Sequence, residues 1–89
     1  MLTVDEFERE CSGFQVESEY IELAYDIYED VQDVERDEMV VVAACMYLAG
    51  EDSGTSSTLS YPLVSVEFGV SVDAVRKCRR EILNKYYGF

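Results

Sequence analysis

At 89 residues and 48% hydrophobic content, the chain is one small globular domain, not a disordered segment, despite a formal charge of −12. No apolar stretch reaches the roughly 20 residues a membrane-spanning helix needs. The acidic start, MLTVDEFERE, is unlike the basic start of a signal peptide, so the expected compartment is the cytoplasm. Three widely spaced cysteines (Cys11, Cys45 and Cys78), no CxxC pair and no histidine argue against a zinc site or a disulfide framework. They read as small core residues in a reducing compartment.

Thr3 and Glu6 form a capping-box pattern ahead of Val4, Phe7 and Cys11, which predicts a short helix over about 4–11, ended by Ser12–Gly13. Ser18 is the expected cap of a second helix reaching about Val34. Its apolar stripe is Tyr20, Ala24, Ile27, Val31 and Val34, flanked by Ile21 and Tyr28. Glu22, Asp26, Glu29, Asp30 and Asp33 fall largely off that stripe and predict a solvated face.

Met39 to Ala49, MVVVAACMYLA, is apolar throughout. Three valines suit a strand, the competing reading. Asp37 as N-cap, Glu38 in the first turn and Gly50 as a left-handed C-terminal stop favour a helix. With no polar side it must be covered all round, and its small Ala43, Ala44, Cys45 and Ala49 admit close neighbours. Gly50 to Thr58 then reads as a polar surface loop. Ser60 is the expected cap of a fourth helix, with Pro62 in its first turn and Gly69 at its end. Ser71 caps a fifth over about 72–86, followed by an aromatic tail, Tyr87–Gly88–Phe89. The expected fold class is all-α: one domain of five helices around a buried third.

The charge is unevenly placed. Residues 1–70 hold 17 acids and two bases, Arg9 and Arg36; residues 71–89 hold two acids and five bases. The scattered acids read as the hydrated surface of a halophilic protein, since at multimolar salt the Debye length is about 3 Å or less. The other reading is an acidic surface for a basic partner.

Tyr61 to Leu83 has the spacing of a helix-turn-helix. Val64 and Phe68 face inward, Ser65 is small at the crossing, Gly69 takes the turn and Val70 plugs the core beneath it. Val75, Cys78 and Ile82 form the buried stripe of the second helix. Its outward stripe is Asp73, Arg76, Lys77, Arg80 and Asn84. The expected DNA-contacting residues are Ser71, Asp73, Arg76, Lys77 and Arg80. Arg76 suits a guanine edge, Lys77 and Arg80 suit phosphates, and Ser71 with the first amides suits another phosphate. Arg79 lies nearer the buried edge, with its stem over apolar surface. The bland reading is that these cations complement the helix dipole and the acidic body.

VAACMYLAG (42–50) and SYPLVSVEFGVSVDAVRKCRREIL (60–83) together resemble the cyclin-box fold of archaeal transcription factor B. The first looks like that family's central alanine-rich helix and the second like its C-terminal helix-turn-helix, a match over roughly 37–85. The resemblance implies a single cyclin-like domain whose last helix lies in the major groove beside a promoter element, with Arg76 in the place of a base-reading arginine. Asp73 departs from the family, which tends to have an apolar or neutral residue there; a carboxylate repels phosphate or demands a cytosine amine. With one repeat and no zinc ribbon, the implied function is a small DNA-binding transcriptional regulator, acting as a homodimer or with a protein of the transcription machinery. The alternative is a cyclin-box protein-interaction module using its acidic surface. No pairing of an activated nucleophile with a base and no phosphate loop is present, so no enzyme, cofactor, metal or small-molecule substrate is expected.

Overall fold

The first turn of the first helix is held by the Thr3–Glu6 capping box: the Glu6 amide donates to the Thr3 hydroxyl, and the Thr3 amide to the Glu6 carboxylate. A computed structural model describes residues 1–52 and 59–88. Among them are five helices and no strand: α1 (Val4–Glu10), α2 (Ser18–Asp30), α3 (Glu38–Asp52), α4 (Tyr61–Phe68) and α5 (Val72–Tyr86).

Three boundaries differ from the sequence expectation. α2 is capped by Glu17 without a side-chain bond, and Ser18 is already helical. α2 also ends at Asp30; Val31 and Val34 stay buried, but in the turn that follows. Their apolar spacing continues the helical stripe although the backbone does not, which is why the pattern overran the helix. Gly50 does not stop α3 in a left-handed conformation: α3 runs through it to Asp52. Gly50 instead lies beside Tyr20, where a Cβ would fall inside contact distance of the phenol oxygen. The loop expected after it lies, from residue 53 to 58, outside the described residues, as does Phe89.

The start of α3 follows the expectation. The Asp37 carboxylate accepts from the Met39 amide at 3.0 Å, and its carbonyl accepts from Val41. From Val40 to Met46 every side chain is buried, and α3 packs against α2, α4 and α5. Phe7, Tyr28, Val31, Val64, Val75, Cys78 and Ile82 are also fully enclosed, in a globule of 29 × 25 × 24 Å. Two tyrosines stitch the core with polar bonds: Tyr20 donates to the Met46 carbonyl at 2.6 Å, and Tyr28 donates to Glu38 and accepts from the Leu2 amide. The three cysteines are free and buried. Burial pushes the thiols of Cys11 and Cys78 up to about 12 and about 11, and that of Cys45 well above its ordinary value. No described helix is long and apolar enough to cross a membrane.

Candidate nucleic-acid interface

α4 and α5 meet across a three-residue turn, Gly69–Ser71. Ser60 caps α4 by accepting from Leu63, and Gly69 closes it at φ 67°, ψ 35°. The Val70 amide then reaches back to the Ser65 carbonyl at 3.0 Å, a Schellman closure that only a left-handed residue permits. Val64 and Ser65 are buried as expected; Phe68 is half-buried against Phe14, and Val70 is only half-buried. α5 enters the core through Val75, Cys78 and Ile82, all fully buried. That stripe fixes which residues face outward.

Ser71, Asp73, Arg76, Lys77 and Arg80 are all exposed. The Ser71 hydroxyl caps the helix by accepting from the Ala74 amide at 3.0 Å, which leaves its own O–H free to donate alongside the first amides of α5. Asp73, Lys77, Arg80 and Asn84 share the side of α5 opposite the core, while Arg76 lies on the flank toward α4. Lys77, Arg80 and Asn84 line an open groove of about 600 Å³ together with Arg36, Glu81 and Lys85. Ser71, Asp73 and Arg76 lie outside it.

The cations of this face are largely matched. Lys77 pairs with Asp73 at 3.0 Å, Lys85 with Asp33 at 3.1 Å, and Arg36 reaches across from the α2–α3 connection to Glu81 at 2.7 Å. Arg79 grips Glu51. Among the described residues Arg76 and Arg80 have no carboxylate partner. Among the described residues they are the two cations of α5 whose N–H groups are unspent on acids.

Sequence reading missed an aromatic pair beside this face. Tyr47 of α3 and Tyr61 of α4 stack at 4.0 Å with their planes 8° apart. α5 lays one guanidinium on each ring, Arg76 on Tyr61 at 5.0 Å and Arg79 on Tyr47 at 5.7 Å. Burial raises the Tyr61 phenol above its ordinary value, and the Glu51 hydrogen bonds raise Arg79 further above its own. Arg79 therefore does more than cover apolar surface with its stem. Arg36 was also missed as a groove residue, since 45 positions separate it from Glu81 and only the fold joins them.

Compared with known proteins, the chain matches no family model, no curated protein and no solved structure.

Proposed function

We propose that the chain is a DNA-binding transcriptional regulator that lays α5 in the major groove, built as a single cyclin-like repeat around α3. One observation carries the reading. Val75, Cys78 and Ile82 anchor α5 in the core, and that orientation leaves Arg76, Lys77 and Arg80 exposed beyond a tight left-handed turn. The packing of α3 against α2, α4 and α5 supports the cyclin-like arrangement. Acids spread over the exposed side of α2 fit a protein hydrated for high salt. With a formal charge of −12, one domain holds DNA weakly, so binding as a homodimer or beside a protein of the transcription machinery belongs to the proposal.

The test is fluorescence anisotropy with a random duplex and with the gene's own upstream region, in high potassium salt and again at reduced salt. The expected outcome is selective binding that Arg80→Glu abolishes without changing the helical circular dichroism. Absence of binding at every salt where the protein stays folded overturns the proposal.

One observation favours a second reading, an interaction module. Leu23, Ile27, Leu48, Leu83 and Tyr87 line an apolar groove of about 510 Å³ between α2, α3 and α5, with the Glu51–Arg79 pair at its wall. Such a groove suits the apolar face of a partner helix. Loss of partner capture in Leu23→Asp, with DNA binding absent, is the result that selects this reading.

A further inference from the structure

We infer that Tyr61 is a positioning residue: its ring presents the Arg76 guanidinium to a guanine edge. The inference rests on the proposal that α5 reads DNA, and it adds what gives that reading its selectivity.

Arg76 is exposed and has no carboxylate partner among the described residues, yet its guanidinium is held 5.0 Å from the Tyr61 ring centre. The ring beneath it is itself fixed. Tyr61 is the first residue of α4, followed by Pro62, and it stacks on Tyr47 from the middle of α3. Tyr47 in turn carries Arg79, whose two bonds to Glu51 tie α5 to α3. Three helices thus converge on the support of one exposed side chain.

The cation–π contact leaves the N–H groups of Arg76 unspent on any described carboxylate. Those N–H groups are the fork that meets the O6 and N7 acceptors of guanine. A free arginine surrenders its rotamers on binding, whereas one already resting on a ring has surrendered part of them beforehand. Lys77 and Arg80 have no such support, and lysine is a point charge without a fork. The exposed surface of α5 therefore divides into a positioned reader at Arg76, on the flank toward α4, and phosphate contacts at Lys77 and Arg80 on the outer side. An exposed cation–π contact shifts the population of the supported rotamer by about 2- to 5-fold, which bounds the gain in affinity from pre-organisation.

The experiment begins with enrichment of bound sequences from a random duplex pool by the full chain. Anisotropy on the enriched duplex is then compared with the same duplex carrying 7-deazaguanine, which lacks the N7 acceptor. Wild type is expected to prefer the natural duplex, Arg76→Lys to lose that preference, Tyr61→Leu to weaken it about 2- to 5-fold, and Tyr61→Phe to keep it. Affinity for unselected duplex stays level in both Tyr61 variants, which a merely structural defect would not allow. In the DNA-free protein, the Arg76 Nε–H resonance carries a ring-current shift that Tyr61→Leu removes. Should Tyr61→Leu lose helical structure, Tyr61→Met, which keeps apolar bulk without the ring, takes its place. Full guanine preference in a folded variant without the ring, alongside loss in Arg76→Lys, overturns the positioning role and leaves the DNA reading standing. No enriched sequence, or an unaltered preference in Arg76→Lys, overturns the DNA role of Arg76 itself and the positioning role with it.

Discussion

Arg79 grips Glu51 through two parallel bonds, Nε to Oε1 at 2.6 Å and Nη2 to Oε2 at 2.8 Å, and so ties the middle of α5 to the last turn of α3. Both side chains are about one-third exposed or less, at 27% and 32%. The bidentate geometry places this pair above an ordinary surface ion pair, and the Arg79 stem also walls the apolar groove. Arg79→Ala is expected to cost about 1–2 kcal/mol in urea denaturation. A cycle with Glu51→Gln should show a coupling of about 1 kcal/mol. Strictly additive losses would mean that the two residues act separately.

Gly50 and Tyr20 form a second coupled pair. By helix propensity alone, Gly50→Ala within α3 should stabilise by about 1 kcal/mol. A Cβ at this position, however, falls inside contact distance of the Tyr20 hydroxyl, which is itself held by the Met46 carbonyl at 2.6 Å. Gly50→Ala is therefore expected to lower the thermal midpoint. In a Tyr20→Phe background the oxygen is gone and the nearest ring atom lies 3.3 Å away, so the same substitution should cost less there. Equal losses in both backgrounds would refute the close approach.

How far the sequence could be read depended on whether a signal was local. The Thr3–Glu6 box, the Ser60 and Ser71 caps and the left-handed Gly69 all act within a few residues, and each was legible. The helical class of 39–49 also followed from its flanks, although three valines pulled toward strand. Gly50 misled because glycine after an apolar run signals either a stop or a close approach, and only the position of Tyr20 distinguishes them. Val31 and Val34 misled because burial continues past the end of a helix. On α5, exposure of Asp73, Arg76, Lys77 and Arg80 was legible from the period of Val75, Cys78 and Ile82. The partners of Arg76, Arg79, Glu81 and Lys85 were not, since Asp33, Arg36, Tyr47, Glu51 and Tyr61 reach α5 only through tertiary packing.

The buried acids of weak character set a response to alkali. Burial pushes the Cys11 thiol up to about 12 and the Cys78 thiol up to about 11, from 9.0 in a free thiol. Tyr28, enclosed and bonded to Glu38, is pushed up to about 12 from 10.0. Each folded-state value lies above the unfolded one, so the unfolded chain loses these protons first. Stability is fully present below about pH 9 and falls as pH rises toward 12. Urea midpoints across that window should decline, and Cys11→Ala with Cys78→Ala should make the decline shallower. In the folded protein near neutral pH, a thiol-specific disulfide reagent should label these cysteines only as fast as the chain opens. Rapid labelling of the folded state would show that the sites are accessible.

Asp73 and Lys77 make opposite demands on any DNA contact. They pair at 3.0 Å on the exposed side of α5, with side-chain exposures of 71% and 60%. Such an i,i+4 pair is worth only about 0.3–0.5 kcal/mol to the helix, and the carboxylate in the first turn adds a similar dipole contribution. Asp73→Asn should therefore destabilise the fold slightly while releasing Lys77 toward a phosphate and removing a like charge from the interface. DNA affinity at low salt is expected to rise about 3- to 10-fold, with the slope of log affinity against log salt steeper by about one unit. Lys77→Gln in the same background should return both quantities toward wild type. A uniform rise across sequences identifies Asp73 as an electrostatic brake on α5. Weaker binding confined to a duplex with cytosine at one position would instead make the carboxylate a base contact, accepting from the cytosine amine, and the brake would be refuted.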